Sequence, residues 1–359
     1  MNIPMEPIGS VPRRPELLDL LHRQSQGEAV GPELERAYEA ALADTIARFD
    51  ATGSPVLADG EQFKASFATD PLVGLTNLAP DGVVITFSDG HTRQLPRLTS
   101  GPFRYGCVCG GFVSAARRLT DKPLKQAVIA PSALSLLYPP QGVDGYPRER
   151  FLEDLIGEAE RDIRSCFDAG AATVQMDLTE GRLAVKLDPG KGLLREFVRI
   201  NNLLLSRFEE PLRMRIGIHT CPGGDRDATH SADVDYAELL PDLFEMRAAQ
   251  FFMQLASEPN KDRVLEVVRK YRKPDQVVFV GVIDPIDPTV ESPELVRDRV
   301  FKRPGTSRSI GWALPTIAAS RLSATTCPPR AMSHSPRSAL ESRGFTSLNR
   351  CWRPRADAP

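Results

Sequence analysis

His219 and Cys221 stand two residues apart at the end of an apolar run, residues 214–218, and a Pro222-Gly223-Gly224 turn follows at once. In an extended strand, residues two apart point to the same side. An imidazole and a thiol would therefore face one point where a buried strand ends. That pair of donors suits Zn²⁺, which takes nitrogen and sulfur ligands. The C-terminal ends of strands are where an α/β barrel keeps its chemistry. Glu61 and Asp177 also follow short apolar runs. A bound metal would ionise a coordinated thiol, and buried carboxylates would pair with an ammonium group and align the sulfur.

Placing these residues needs strands and helices in alternation. Strands are expected at 7–10, 56–59, 126–130, 173–177, 213–219, 250–254 and 277–283, with amphipathic helices at 32–50, 148–169, 192–207, 236–248 and 262–271. Strand–helix alternation predicts a parallel sheet. Seven such steps, with chemistry at the strand ends, predict an α/β fold of the (β/α)₈ TIM type. The glycine-rich dinucleotide fingerprint is absent after the first strand. Ser88-Asp89-Gly90 between two short runs predicts a β-hairpin at about 83–97, inserted in a loop.

The composition is that of an ordinary soluble protein: 359 residues, 41% hydrophobic and 26% charged. No apolar stretch of about 18 residues predicts a membrane span. The first residues lack a signal layout, which points to the cytoplasm. Six scattered cysteines read as reduced thiols. The net charge of −2 gives no reason to expect nucleic acid. That total hides an asymmetry. Residues 301–359 carry ten Lys/Arg against two Asp/Glu, seven prolines and both tryptophans, Trp312 and Trp352, with no sustained period.

Residues 1–300 resemble the C-terminal, catalytic half of cobalamin-independent methionine synthase, and more closely the stand-alone proteins that carry only that half. The resemblance rests on Pro7-Ile8-Gly9-Ser10, Gly60-Glu61, Met176-Asp177, Ile218-His219-Thr220-Cys221 and Gly281-Val282-Ile283-Asp284 in that order. It implies zinc-dependent transfer of a methyl group to the thiol of homocysteine or a similar compound. The donor would be a folate or another methylated compound. His219 and Cys221 match the first two zinc ligands, and Gln254 falls where the family has a glutamate, with Glu258 one turn later. Ile8, Ser10, Glu61 and Asp177 match positions that hold the amino acid. Pro131-Ser132 resembles a donor-binding loop. Ile286 falls where the family has its catalytic histidine, so no catalytic residue is carried over beyond the metal site.

The family's last ligand is a cysteine in a Thr-Thr-Asp-Asp-Cys-Gly-Phe segment, and no such segment occurs here. One base out of frame, the codons after Val300 permit that segment, with its cysteine arising across Ile317 and Ala318. A reading-frame shift near Val300 would explain the charge jump and the lost period together. As written, the tail would leave the barrel incomplete at its C-terminal end, without its eighth strand, last helix and fourth ligand.

Other residues have plainer readings. Cys107 and Cys109 form a lone Cys-x-Cys in a glycine-rich loop, and Cys166 reads as core packing. His230 sits in a polar loop, Asp284 and Glu291 shape a proline-rich one, and Arg13 and Arg104 read as a solvated face. Two rival functions remain: a barrel enzyme of the uroporphyrinogen decarboxylase type, and a degenerate, non-catalytic copy.

Overall fold

A computed structural model describes residues 5–64, 66–225, 228–301 and 312–315. Eight strands form one sheet: β1 (Met5–Glu6), β2 (Leu57–Ala58), β3 (Leu124–Ile129), β4 (Thr173–Asp177), β5 (Ile216–Thr220), β6 (Gln250–Met253), β7 (Val277–Val280) and β8 (Trp312–Pro315). Their spatial order is β1, β8, β7, β6, β5, β4, β3, β2. Every neighbouring pair is parallel. The sheet curls until its ends meet. Beyond β1 and β2, Val11 N–H donates to Gly60 O at 3.1 Å. Gln62 Nε2 donates to Val11 O at 3.2 Å. No strand ladder joins β1 to β2, and the described residues include no helix after β8. This is a (β/α)₈ TIM-type barrel, incomplete at its C-terminal end.

Helices pack outside it, four of them expected from sequence (those beginning at Gly31, Arg148, Gly192 and Lys261) and three not (those beginning at Pro15, Gly110 and Pro293). They are α1 (Pro15–Ser25), α2 (Gly31–Ala51), α3 (Gly110–Arg117), α4 (Arg148–Asp168), α5 (Gly192–Leu205), α6 (Lys261–Tyr271) and α7 (Pro293–Phe301). In α4 the buried Phe151, Leu155, Ala159, Ile163 and Cys166 recur every three or four residues and cover one face. The expected helix at 236–248 is instead a 3₁₀ turn, Tyr236–Glu238, and a short turn, Leu240–Leu243. Pro241 has no N–H to continue a ladder begun at Asp235.

Alternation along the strands divides two cores. Val174, Met176, Ile216, Ile218, Phe251 and Met253 join the large core between sheet and helices. The residues between them face the barrel interior, where Phe252 and Phe279 stack at 4.7 Å and Ile8 packs on them. Gly217 is required by this packing, since a Cβ there would lie 2.5 Å from the Phe252 ring. Near the opposite end of the strands, buried Lys125 places Nζ 3.9 Å over the Phe252 ring and 3.5 Å from Glu6.

The inserted hairpin is present. Val84–Thr86 pairs antiparallel with Thr92–Gln94, and Gly90 takes a φ of 88° in its turn. The eighth strand differs from expectation. Trp312–Pro315 lies between β7 and β1, in the slot the tail was expected to leave empty, so β1 and β7 do not present open edges there. The tail's other expected features lie outside the described residues. No described helix is long and apolar enough to cross a membrane.

Candidate functional site

The site forms where β4 and β5 end. Asp177 and His219 are direct register partners on these parallel strands. Both side chains turn inward because Met176 and Ile218 turn outward into the helical layer. Their contact is a hydrogen bond of 3.1 Å between Asp177 Oδ1 and His219 Nδ1. The same Oδ1 accepts from Gln175 Nε2 at 2.8 Å. Asp177 thereby fixes the ring and leaves Nε2 as the nitrogen for a ligand, the arrangement that second-shell carboxylates give metal-binding histidines.

Cys221 follows the last residue of β5. Its Sγ accepts from the Gly223 N–H at 3.2 Å. Packing around the sulfur, together with the charges of Asp177 and Glu180, pushes its thiol up to about 11. The thiol is therefore protonated at neutral pH unless a cation sits beside it. One carboxylate, Asp177, thus bonds His219 and acts on Cys221. Gly223 takes a φ of 75°, and a Cβ on it would lie 2.6 Å from the His230 ring. His230 is a buttress for this turn: Nδ1 meets Ser231 Oγ at 2.7 Å and the ring packs edge-on against Phe87 of the hairpin. Burial, with Lys186 and Arg182 nearby, pushes His230 down to about 4, so it is neutral. Ile286 closes the turn from another side, since a Cβ on Gly224 would lie 2.2 Å from its Cδ1.

Glu61 joins the site from the loop after β2. Gly60 and Glu61 both have left-handed backbones, with φ of 69° and 54°. For a non-glycine residue this costs on the order of 1 kcal/mol. Asp59 Oδ1 holds the turn by accepting from Glu61 N–H at 3.0 Å. Arg13 clamps it from β1's side, donating to Glu61 O at 3.1 Å and to the carbonyl of Lys64. Arg13 is therefore an internal brace, not part of a solvated face. Burial and the charge of Asp177 raise the Glu61 carboxyl, against the opposing pull of Lys64.

The remaining sequence candidates are placed less centrally. Ile8 turns its side chain to Phe252 and Phe279 in the interior, and Ser10 is exposed at the rim. Gln254 continues the β6 ladder, its N–H donating to Thr220 O at 3.2 Å. Its Nε2 donates to Glu258, which Arg182 also holds, while its Oε1 is buried without a hydrogen-bond partner. Ser132, expected at a donor loop, is fully buried instead. Its Oγ accepts from Asn201 at 2.9 Å and donates to Glu180 at 2.6 Å. Asp284 and Glu291 do shape their loop: Asp284 accepts from Ser257 and Ile286, and Glu291 from Asp284 N–H. Arg104 pairs with Asp154 at 2.9 Å.

Two residues near the site escaped sequence reading. Glu180, three residues past Asp177, is pushed up to about 7 by burial, opposed by the Ser132 hydrogen bond. Lys64 is buried beside Glu61. The position of Glu180 just after a strand end was the available signal for it. Lys64 gave none, because three residues from a carboxylate usually means a solvated pair. Among the described residues no group of three or more His, Cys, Asp or Glu is arranged to hold a metal ion. A metal here would have the imidazole of His219, the thiol of Cys221 and the orphaned amide oxygen of Gln254 as donors, a set of mixed softness that suits Zn²⁺ better than an all-oxygen cation.

The architecture matches known structures closely in extent. A B12-independent methionine synthase from Shewanella sp. W3-18-1, solved in complex with selenomethionine, superposes with a TM-score of 0.66 at 19% identity, over 89% of this chain and 91% of that one. The fold is that of the B12-independent methionine synthases. A putative vitamin-B12 independent methionine synthase from Listeria monocytogenes gives 0.60 at 18% identity, over 89% and 92% of the two chains. No protein-family model and no curated protein matches the sequence.

Proposed function

We propose that this chain is a zinc-dependent S-methyltransferase that transfers a methyl group to the thiol of homocysteine or a similar amino-acid thiol. The observation that carries this reading is Asp177, whose one carboxylate orients His219 and acts on Cys221 and Glu61 at the mouth of the barrel. The fold supports it, since both similar structures are named as methionine synthases and one holds selenomethionine, the selenium analogue of a methylated thiol.

His219 through Nε2 and Cys221 through Sγ would hold the metal, and Gln254, just past the neighbouring strand β6, would be the third candidate donor through its unpartnered Oε1. Bound zinc supplies one thing, ionisation of the coordinated thiol at neutral pH. The rest falls to the chain. Asp177 fixes the His219 tautomer by accepting from Nδ1. Glu61 and Asp177 present negative charge to the substrate's α-ammonium group and so orient its sulfur. Gly223 and Gly224 let the chain turn sharply past Cys221, with His230 and Ile286 packed against them. The methyl donor, a folate or another methylated compound, would approach from the open face. Arg13 and Arg182 are already bonded within the protein, which weighs against a carboxylate-rich, porphyrinogen-type substrate.

Purified protein is expected to carry about one zinc ion per chain by elemental analysis, and to methylate homocysteine when given a methyl-folate donor. Methyl transfer that proceeds at full rate after zinc removal by a chelator would sink the zinc mechanism. A copy of reduced activity is the second reading. It is favoured by the use of the Gln254 amide on Glu258 and by an apolar Ile286 where the resemblance implies a histidine. Metal-free protein with no transfer to any thiol would select it.

A further inference from the structure

Lys64 is 2% exposed, yet it carries a full charge into the protein. Its Nζ donates to Glu61 Oε2 at 3.1 Å and to Ala127 O at 2.7 Å. Burial works against that charge, but Glu61 and other carboxylates outweigh it and hold the lysine well above its ordinary value. Enclosing an ion costs several kcal/mol unless a partner offsets it, so a structural pair alone would be weak grounds for keeping one here. The pair is also asymmetric. Lys64 occupies only Oε2 of Glu61. Oε1 makes no hydrogen bond with the described residues and lies 3.7 Å from where a Cβ on Gly9 would stand, a point also 3.7 Å from the Ala127 Cβ, so it faces the space beside Gly9 and Ala127. Glu61 feels Lys64, Asp177 and Asp59, and Arg13 braces only the backbone around it. Lys64 is one cation among three buried carboxylates, Glu61, Asp177 and Asp59, so the cluster favours a further cation.

We propose that Lys64 is a positioning residue for substrate recognition: it keeps Glu61 ionised and turned so that Oε1, with Asp177, accepts the α-ammonium group of the thiol substrate. Lys64 thereby selects amino-acid thiols over thiols that lack the amine. This rests on the thiol-methyltransferase reading above and adds a specificity device to it. Without the lysine, burial and the Asp177 charge would protonate Glu61, and a neutral carboxyl pairs poorly with an ammonium.

The test compares two probes, homocysteine and 4-sulfanylbutanoate, which differ only in the amine. Each is titrated calorimetrically into the zinc-loaded full-length chain. Comparing two thiols at each pH cancels the ionisation of the thiol itself. Wild type is expected to prefer homocysteine by about tenfold or more. Lys64→Gln keeps hydrogen-bonding capacity and removes the charge. Its preference is expected to fall toward that of Glu61→Gln at the lower of two pH values and to recover at the higher, as Glu61 ionises. Glu61→Gln should show no recovery. Lys64→Met serves the same comparison if Lys64→Gln does not fold. A Lys64 variant that keeps, or increases, the wild-type preference at both pH values overturns the inference. Wild type that binds both thiols equally overturns it too, while leaving the thiol reading intact. Wild type that binds neither thiol removes both.

Discussion

Two stretches of this chain look alike on paper, His219-x-Cys221 and Cys107-x-Cys109. The first ends a barrel strand, so the chain turns away and leaves its side chains beside the inward-facing Asp177. The second leads into α3, whose start is pinned to α4: Cys109 N–H donates to Asp162 at 2.6 Å and Gly110 N–H to Ser165 at 3.1 Å. The Cys107 thiol donates hydrogen bonds to the carbonyl and the carboxylate of Asp70. Burial and nearby Asp162 lift the Cys109 thiol well above its ordinary value. A two-residue spacing makes a site only where the backbone leaves the donors facing a space. In the thiol cluster the same spacing is absorbed by packing.

Substitution should separate the two regions sharply. His219→Ala and Cys221→Ala are expected to lower zinc affinity by more than the about 100-fold that loss of an outer-shell partner produces, and to abolish methyl transfer. Cys107→Ala and Cys109→Ala should leave metal content unchanged and lower only stability. Equal zinc loss from both pairs, measured by competition with a chromogenic chelator, would erase the distinction.

Acid–base behaviour sharpens it further. Glu180 at the site is pushed up to about 7 in the fold, from an ordinary 4.5, mainly by burial. A carboxyl raised on folding binds protons more tightly in the native state, so its contribution is present below about 4.5 and is lost as pH rises through about 7. Metal-free protein should lose on the order of 3 kcal/mol across that window from this group alone. Urea unfolding across that range checks this, and Glu180→Gln should flatten the slope. Asp70 and Asp162 in the thiol cluster, raised to about 6 chiefly by burial, should add a slope that ends at lower pH. The smallest effect is expected at Gly217, where a Cβ would meet Phe252 at 2.5 Å. Gly217→Ala should cost about 1–3 kcal/mol by overpacking, with zinc affinity little changed. A neutral result would mean that the Phe252–Phe279 stack yields easily.

Much of this was legible in the chain, and the failures have definite causes. β4 falls at 173–177 as expected, because Val174 and Met176 alternate with polar residues that serve the interior. β5 begins later than expected, since Glu210–Arg213 closes a helical turn started by Pro211. β1 and β8 are short and supply little pattern, so their place is set by neighbours. Gln254 was read as a position for a metal ligand. The structure adds that its amide nitrogen is engaged by Glu258 while its amide oxygen has no hydrogen-bond partner, an orientation that the spacing alone does not give.

The sequence by itself determined the alternation of strand and helix, the barrel it implies, the hairpin at Gly90, and the pairing of an imidazole and a thiol at one strand end. Those are local matters, decided by side-chain period and by turn residues over a few neighbours. Only the tertiary structure decided that Asp177 meets His219, that Lys64 meets Glu61, and that Ser132 holds Glu180. Strand register brings residues 42 apart into contact, and burial then decides which of them keep their charge.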